Sequence, residues 1–126
     1  MVTGLPVFDM AEVLKICGER PIELLHMDTQ GAELPFISSM QHAVENQLIR
    51  FIMVSTHHSS ISGSTTHVDC VDAIRELGGC ILVEHDIVES FSGDGMILAS
   101  FMEIDRSLYF PEISRNKAET SLFKRA

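Results

Sequence analysis

Apolar residues change period several times along the chain, and each change marks an element. Asp9-Met10-Ala11-Glu12 reads as a capping box that opens a short helix. Val13, Leu14, Ile16 and Cys17 give that helix an apolar side, and Gly18 stops it. Pro21 holds the residue before it extended, and Ile22–Met27 is a short, mostly apolar run of strand length. Residues 28–33 form a loop around Gly31. Pro35 suits the first turn of the next helix, on which Phe36, Ile37, Met40 and Val44 share one face. Residues 49–55 are the second strand. Residues 56–65 are polar, with two histidines, four serines and Gly63, and read as a loop. Thr66-His67-Val68-Asp69 caps a third helix with a Val68, Val71, Ile74, Leu77 stripe, closed by Gly78-Gly79. Cys80 begins the third strand, Ser92-Gly93-Asp94-Gly95 is a turn signal, and residues 96–102 are the fourth strand.

Strands alternating with helices predict an α/β fold with a mostly parallel sheet of about four strands. The link between the third and fourth strands is too short for a helical crossover, so an antiparallel last hairpin is expected. A chain of 126 residues fits one domain. Residues 1–110 hold the strand and helix pattern. Residues 111–126 form a basic tail in which residues 114–123 suggest a frayed helix.

Charge and cysteine usage narrow the partners. The net charge of −9 argues against nucleic acid and anionic membranes. Residues 1–105 carry 16 acidic and 4 basic side chains, whereas residues 106–126 carry 5 basic and 2 acidic ones. The tail is read as solvated, with docking against the acidic body or a neighbouring subunit as the sharper alternative. No apolar run approaches the ~20 residues of a membrane span, and residues 1–10 lack the basic flank and apolar stretch of a signal peptide. Cys17, Cys70 and Cys80 are odd in number and lack C-x-x-C spacing, which fits a reducing, cytoplasmic setting. Cys17 and Cys80 read as small buried hydrophobes.

Chemically able residues cluster where strands end. Asp28, His57, His58 and Asp86 directly follow predicted strands, and His85 closes one. Those positions form the rim at which an open α/β sheet keeps its ligands. A histidine there suits a general base, because imidazole titrates near neutrality. The structural alternatives are plain: Asp28 capping a helix, Gly31 supplying a turn, Glu33 stabilising a helix start, and loop histidines bonded locally. A metal site built from His57, His58, His67, His85 and Asp86 does not follow any known zinc spacing, so none is expected.

Four stretches combine into a larger pattern: Leu25-His26-Met27-Asp28-Thr29-Gln30-Gly31-Ala32-Glu33, Val54-Ser55-Thr56-His57-His58, Val83-Glu84-His85-Asp86, and residues 89–101 around Ser92-Gly93-Asp94-Gly95-Met96. In order and spacing they resemble the C-terminal half of the FkbM-type, S-adenosylmethionine-dependent methyltransferases. Residues 28–33 look like that family's D-x-(E/Q)-G-x-E segment, and residues 91–96 its F-S-G-D-G-L turn with Met96 replacing Leu. The resemblance spans about residues 5–102. It implies a partial class I methyltransferase sheet, with S-adenosylmethionine as cofactor. It also implies Asp28, His57 and His58 as catalytic candidates, Gln30, Gly31 and Glu33 beside the cofactor, and His85, Asp86, Ser92 and Asp94 as substrate-cleft candidates. The glycine-rich turn that grips the cofactor is missing, since Gly4 and Gly18 stand alone before residue 22. The expectation is therefore a methyltransferase fragment, inactive alone, that either joins its missing N-terminal half or self-associates as a homo-oligomer. The alternative is a stand-alone small-molecule-binding or assembly module derived from the same fold.

Overall fold

The computed structural model describes residue 4 and residues 6–62, 67–90 and 93–111. Helix α1 (Met10–Ile16) opens on the expected capping box: the Asp9 carboxylate accepts from the backbone N–H groups of Ala11 and Glu12, and Glu12 returns a carboxylate to the Asp9 N–H. Strand β1 (Ile22–Met27) follows. The single helix expected after Pro35 is two short ones, α2 (Glu33–Ser38) and α3 (Gln41–Glu45). The break has a local cause. The Ser39 hydroxyl donates to the Phe36 carbonyl at 2.6 Å and accepts the Met10 N–H at 3.0 Å. A serine so engaged offers the backbone an alternative to continued helix.

Strand β2 (Ile49–Thr56) leads into a four-residue helix, α4 (Ser59–Ser62), within the segment expected to be loop. Helix α5 (His67–Glu76), strand β3 (Cys80–His85) and strand β4 (Gly95–Ser100) complete the order. Two 3₁₀ turns, Ile87–Glu89 and Glu103–Ser107, were not foreseen. The last strand ends at Ser100, two residues short of its expected bound, and the second turn begins just beyond, at Glu103. The tail helix expected over residues 114–123 lies outside the described residues.

The sheet order is β1-β2-β4-β3. β1 pairs with β2 in parallel, while β4 is antiparallel to both β2 and β3. The expected mostly parallel sheet is thus a mixed one. β1, β2 and β3 do run the same way, but β4 inserts between β2 and β3 and converts two of three pairings to antiparallel. The expected last hairpin is present. Its short connection cannot carry a chain back over the sheet, so β4 must lie antiparallel beside β3.

One apolar cluster holds the layers together. Met10 and Leu14 of α1, Ile37, Met40, Ala43, and Cys70, Val71 and Ile74 of α5 pack on Met27, Ile52, Val54, Ile97 and Ala99 of the sheet. Strand alternation places Phe51, Met53, Met96 and Leu98 on the opposite face, where they are half-buried. Helix α5 packs on its expected stripe except at Val68, with Leu77 against the core cluster. His67, Cys70, Val71 and Ile74 are buried, while Val68 is 63% exposed. Val68 gives way to its neighbour His67, which is buried as a polar anchor, described below. No helix among the described residues is long and apolar enough to cross a membrane.

Candidate functional site

The carboxyl ends of β1 and β2 lie side by side because the strands are parallel and in register, with Met27 opposite Val54. The residues just beyond them, Asp28 and His57, therefore meet. The antiparallel register adds a third group. Thr56 pairs with Gly95, so the next position along each strand sets His57 beside Asp94. His57 is 5% exposed. Its Nε2 lies 3.0 Å from Asp28 Oδ1 and 3.6 Å from Asp94 Oδ1, and its Nδ1 lies 3.4 Å from Glu33 Oε1.

Glu33 is the least expected member of this group. It is 1% exposed, yet it stays ionised. Burial pushes its pKa up, but the backbone N–H groups of Glu33, Thr29 and Gly31 and the Thr29 hydroxyl together hold it below the usual carboxylate value. Thr29 N–H reaches Oε1 at 2.9 Å and Gly31 N–H reaches Oε2 at 2.8 Å. The loop that delivers these donors turns at Gln30 and Gly31, both at positive φ, 54° and 122°. Glycine takes that conformation without a Cβ clash. The carboxylate of Glu33 therefore faces inward, behind the imidazole, closing its own loop. Asp28 and Asp94, with side chains 50% and 41% exposed, stand at the mouth.

The other candidates separate. His58 turns to its own loop, where Nδ1 accepts the Ser60 N–H at 3.1 Å. Asp86 caps the first 3₁₀ turn by accepting the Val88 N–H at 3.0 Å. His85 and Asp94 border a shallow open groove with His26, Met53, Ser55 and Met96. Gln30 is exposed on the Asp28–Glu33 loop, and Ser92 lies outside the described residues. Of the five residues weighed as a metal set, His57 alone belongs to the cluster; the fold instead brings one ligand atom each of Asp28, Glu33 and His57 within 4.8 Å of one another.

A second polar constellation escaped the sequence. His67, at the start of α5, places Nδ1 2.7 Å from the Thr56 hydroxyl and Nε2 2.8 Å from Glu84 Oε2. Glu84 requires the proton on Nε2 in the neutral ring, so the Thr56 hydroxyl donates to Nδ1. Thr56 and His67 are both buried, beneath the Gly95 backbone. This arrangement pins the end of β2 one residue before His57. Cys70 lies in the same layer, and burial, with Glu33 and Asp69 nearby, pushes its thiol up to about 12. It stays a neutral thiol with no nucleophilic character.

Chemically, the rim offers a buried imidazole with one carboxylate 3.4 Å behind it and two more in front. Such a group can take a proton from a hydroxyl or hold a cation. No family model, no curated protein and no solved structure matches the chain.

Proposed function

We propose that this chain is the acceptor-side half of an S-adenosylmethionine-dependent O-methyltransferase in which His57 is the proton acceptor. The observation that carries the reading is the placement of His57 among Asp28, Glu33 and Asp94 at the carboxyl ends of parallel strands. An open α/β sheet keeps its ligands there. The antiparallel hairpin beside two like-directed strands agrees with the closing half of a class I methyltransferase sheet.

The chemistry asked of these residues is modest. The acceptor hydroxyl must lose its proton as its oxygen attacks the sulfonium methyl in line; the carbon–sulfur bond breaks and its electron pair stays on sulfur. Glu33, fixed by its backbone donors, sets a negative charge 3.4 Å from Nδ1, which electrostatically favours the proton there. Asp28 is half-exposed and can swing aside, leaving the Nε2 lone pair to receive the acceptor proton. Asp28, swinging back, and Asp94 then stabilise the imidazolium. The cofactor is supplied by a glycine-rich half, for which residues 1–21 contain no candidate turn.

The test is transfer of labelled methyl from S-adenosylmethionine by the complete enzyme, this chain together with the glycine-rich half. His57→Ala and Asp28→Asn should each lower turnover by roughly 10²–10⁴-fold. Unchanged turnover in both variants would remove these residues from the reaction. Calorimetric titration of the chain alone should show no tight S-adenosylmethionine binding. Tight binding there would overturn the view that a separate half holds the cofactor.

A further inference from the structure

We infer that the groove beside His57 seats the acceptor, and that the acceptor is a neutral aromatic alcohol of the phenol class, one or two rings in size. The seat follows from the groove itself; the chemistry performed there rests on the functional reading given above.

Strand register builds the groove. His26 pairs with Met53, Ser55 with Met96, and Met96 with His85. Met27, Val54 and Ile97, their chain neighbours, belong to the core cluster under the helices. Alternation along a strand therefore turns His26, Met53, Ser55 and Met96 to the other face. With His85 they border a groove of about 290 Å³. Asp94 joins this groove to the site. It borders the groove, and its Oδ1 lies 3.6 Å from His57 Nε2. A molecule seated in the groove thus reaches the mouth of the His57 cluster.

Size and walls set the class of ligand. Small-molecule sites run upward from about 300 Å³, so this groove suits one or two rings. Met53 and Met96 are half-buried parts of its wall, and thioether sulfur makes favourable contact with aromatic rings. His85 adds a polar point. Its buried Nδ1 has no hydrogen-bond partner among the described residues. Turning that ring toward a ligand breaks no bond at Nδ1 and gains one. Charge excludes the anionic alternatives. No lysine or arginine among the described residues borders the groove, while Asp28, Glu33 and Asp94 gather at its end. A phosphorylated or carboxylated acceptor meets like charge there. A sugar needs its hydroxyls paired when it leaves water, and methionine walls pair none.

Acidity points the same way. A phenol ionises near pH 10 and an imidazole takes a proton near 6.5, a gap of about 3–4 pKa units. An aliphatic alcohol, about as weak an acid as water, widens the gap to about 9 units. General-base catalysis weakens as that gap grows, so a lone imidazole suits a phenol better.

The experiment is titration of the purified chain with 2-naphthol, followed by the nuclear magnetic resonance of its methionine methyls and histidine rings. Saturable binding is expected, with the Met53 and Met96 methyls and the His85 ring shifting most. Methyl glucoside should leave these signals in place, and 2-naphthoate should bind at least about tenfold more weakly. Met53→Leu and Met96→Leu keep the wall's volume but lose its sulfur, so each should weaken binding about two- to tenfold. His85→Phe, which keeps a ring but no nitrogen, should cost a similar factor. Ile16→Ser, at an exposed position on α1, should change nothing. No saturable 2-naphthol binding, shifts that spare both methionines, or equal binding of methyl glucoside or 2-naphthoate would overturn the proposal. The two readings fail separately. A complete enzyme that methylates a sugar hydroxyl through His57 and ignores 2-naphthol loses only the acceptor class. Groove binding of 2-naphthol with turnover indifferent to His57→Ala removes only the base.

Discussion

Arg50 and Asp105 show what a single pair contributes and why it was hidden. Arg50 Nε and Nη2 grip the two Asp105 oxygens at 2.9 and 2.7 Å, and the Ser100 hydroxyl donates to the same carboxylate at 2.7 Å. The Arg50 bond first, and the Ser100 bond second, hold the Asp105 carboxyl at about 2, below its ordinary 3.8. A carboxyl depressed by folding stabilises the protein above its unfolded pKa and loses that contribution as pH falls through the folded one. Stability should therefore drop between about pH 4 and pH 2, and Asp105→Asn should flatten that part of a urea-midpoint profile. A profile unchanged by the substitution would remove Asp105 from the acid response. The two residues are 55 positions apart, and neither neighbours a motif, so periodicity could not join them. Gly95 makes the opposite point. It was read as part of a turn, yet its constraint is spatial: a Cβ there would run into Thr56 Oγ1 and His67 Nδ1. Gly95→Ala should cost about 1–3 kcal/mol, the usual penalty of overpacking. Thermal or urea unfolding of that variant checks it, and a neutral result would show that the Thr56–His67–Glu84 chain gives way easily.

Elements were legible where a local rule decides them. Ile22–Met27 falls on its expected bounds, because six mostly apolar residues after a proline have few other choices. The Asp9 capping box needs only neighbours three residues apart, and it is present as written. Asp9→Ala should cost about 1 kcal/mol, a large share for a seven-residue helix that stands through its packing. A helix-restoring Asp9→Ser variant should recover most of that loss, and failure to do so would assign Asp9 another role. Where local rules compete, the reading slipped. Ser39 ended one helix and forced a second because its hydroxyl served Phe36 and Met10 rather than solvent. The stripe on α5 lost Val68 alone, because its neighbour His67, polar in any sequence scale, is buried between Thr56 and Glu84. The candidate site divides the same way. Asp28 and His57 were visible as strand-end residues, but their meeting with Asp94 depends on the Thr56–Gly95 register. Register is a property of paired strands, and β4 pairs with β2 across 38 intervening residues. Glu33 was read beside the cofactor, and only the folded loop reveals that its oxygens face inward to Thr29 and Gly31.

On the scale of the molecule, the helices α1, α2, α3 and α5 pack into one cluster against one face of the sheet, and the consequences fall on the other surfaces. β1 is an edge strand, paired with β2 alone among the described strands. Its outward backbone donors and acceptors form a template for another strand. Leu24 on that strand is 49% exposed, and the adjoining face carries the half-buried Phe51, Met53, Met96 and Leu98. Glu23 and His26 place the polar groups of this edge, too few to blunt it in the way that lysines or a proline would. Apolar surface beside an unpaired edge is what a second chain covers, by continuing the sheet or by stacking on it. Sedimentation of the purified chain should therefore show concentration-dependent association. Leu24→Lys puts a charge on the edge without touching the core cluster, so it should shift the equilibrium toward monomer while leaving the unfolding midpoint of the monomer nearly unchanged. Hydrogen exchange adds the location: amides of Ile22–Met27 that face away from β2 should gain protection as concentration rises. A monomer at every concentration, with those amides exchanging freely, would show that the edge stays open in solution.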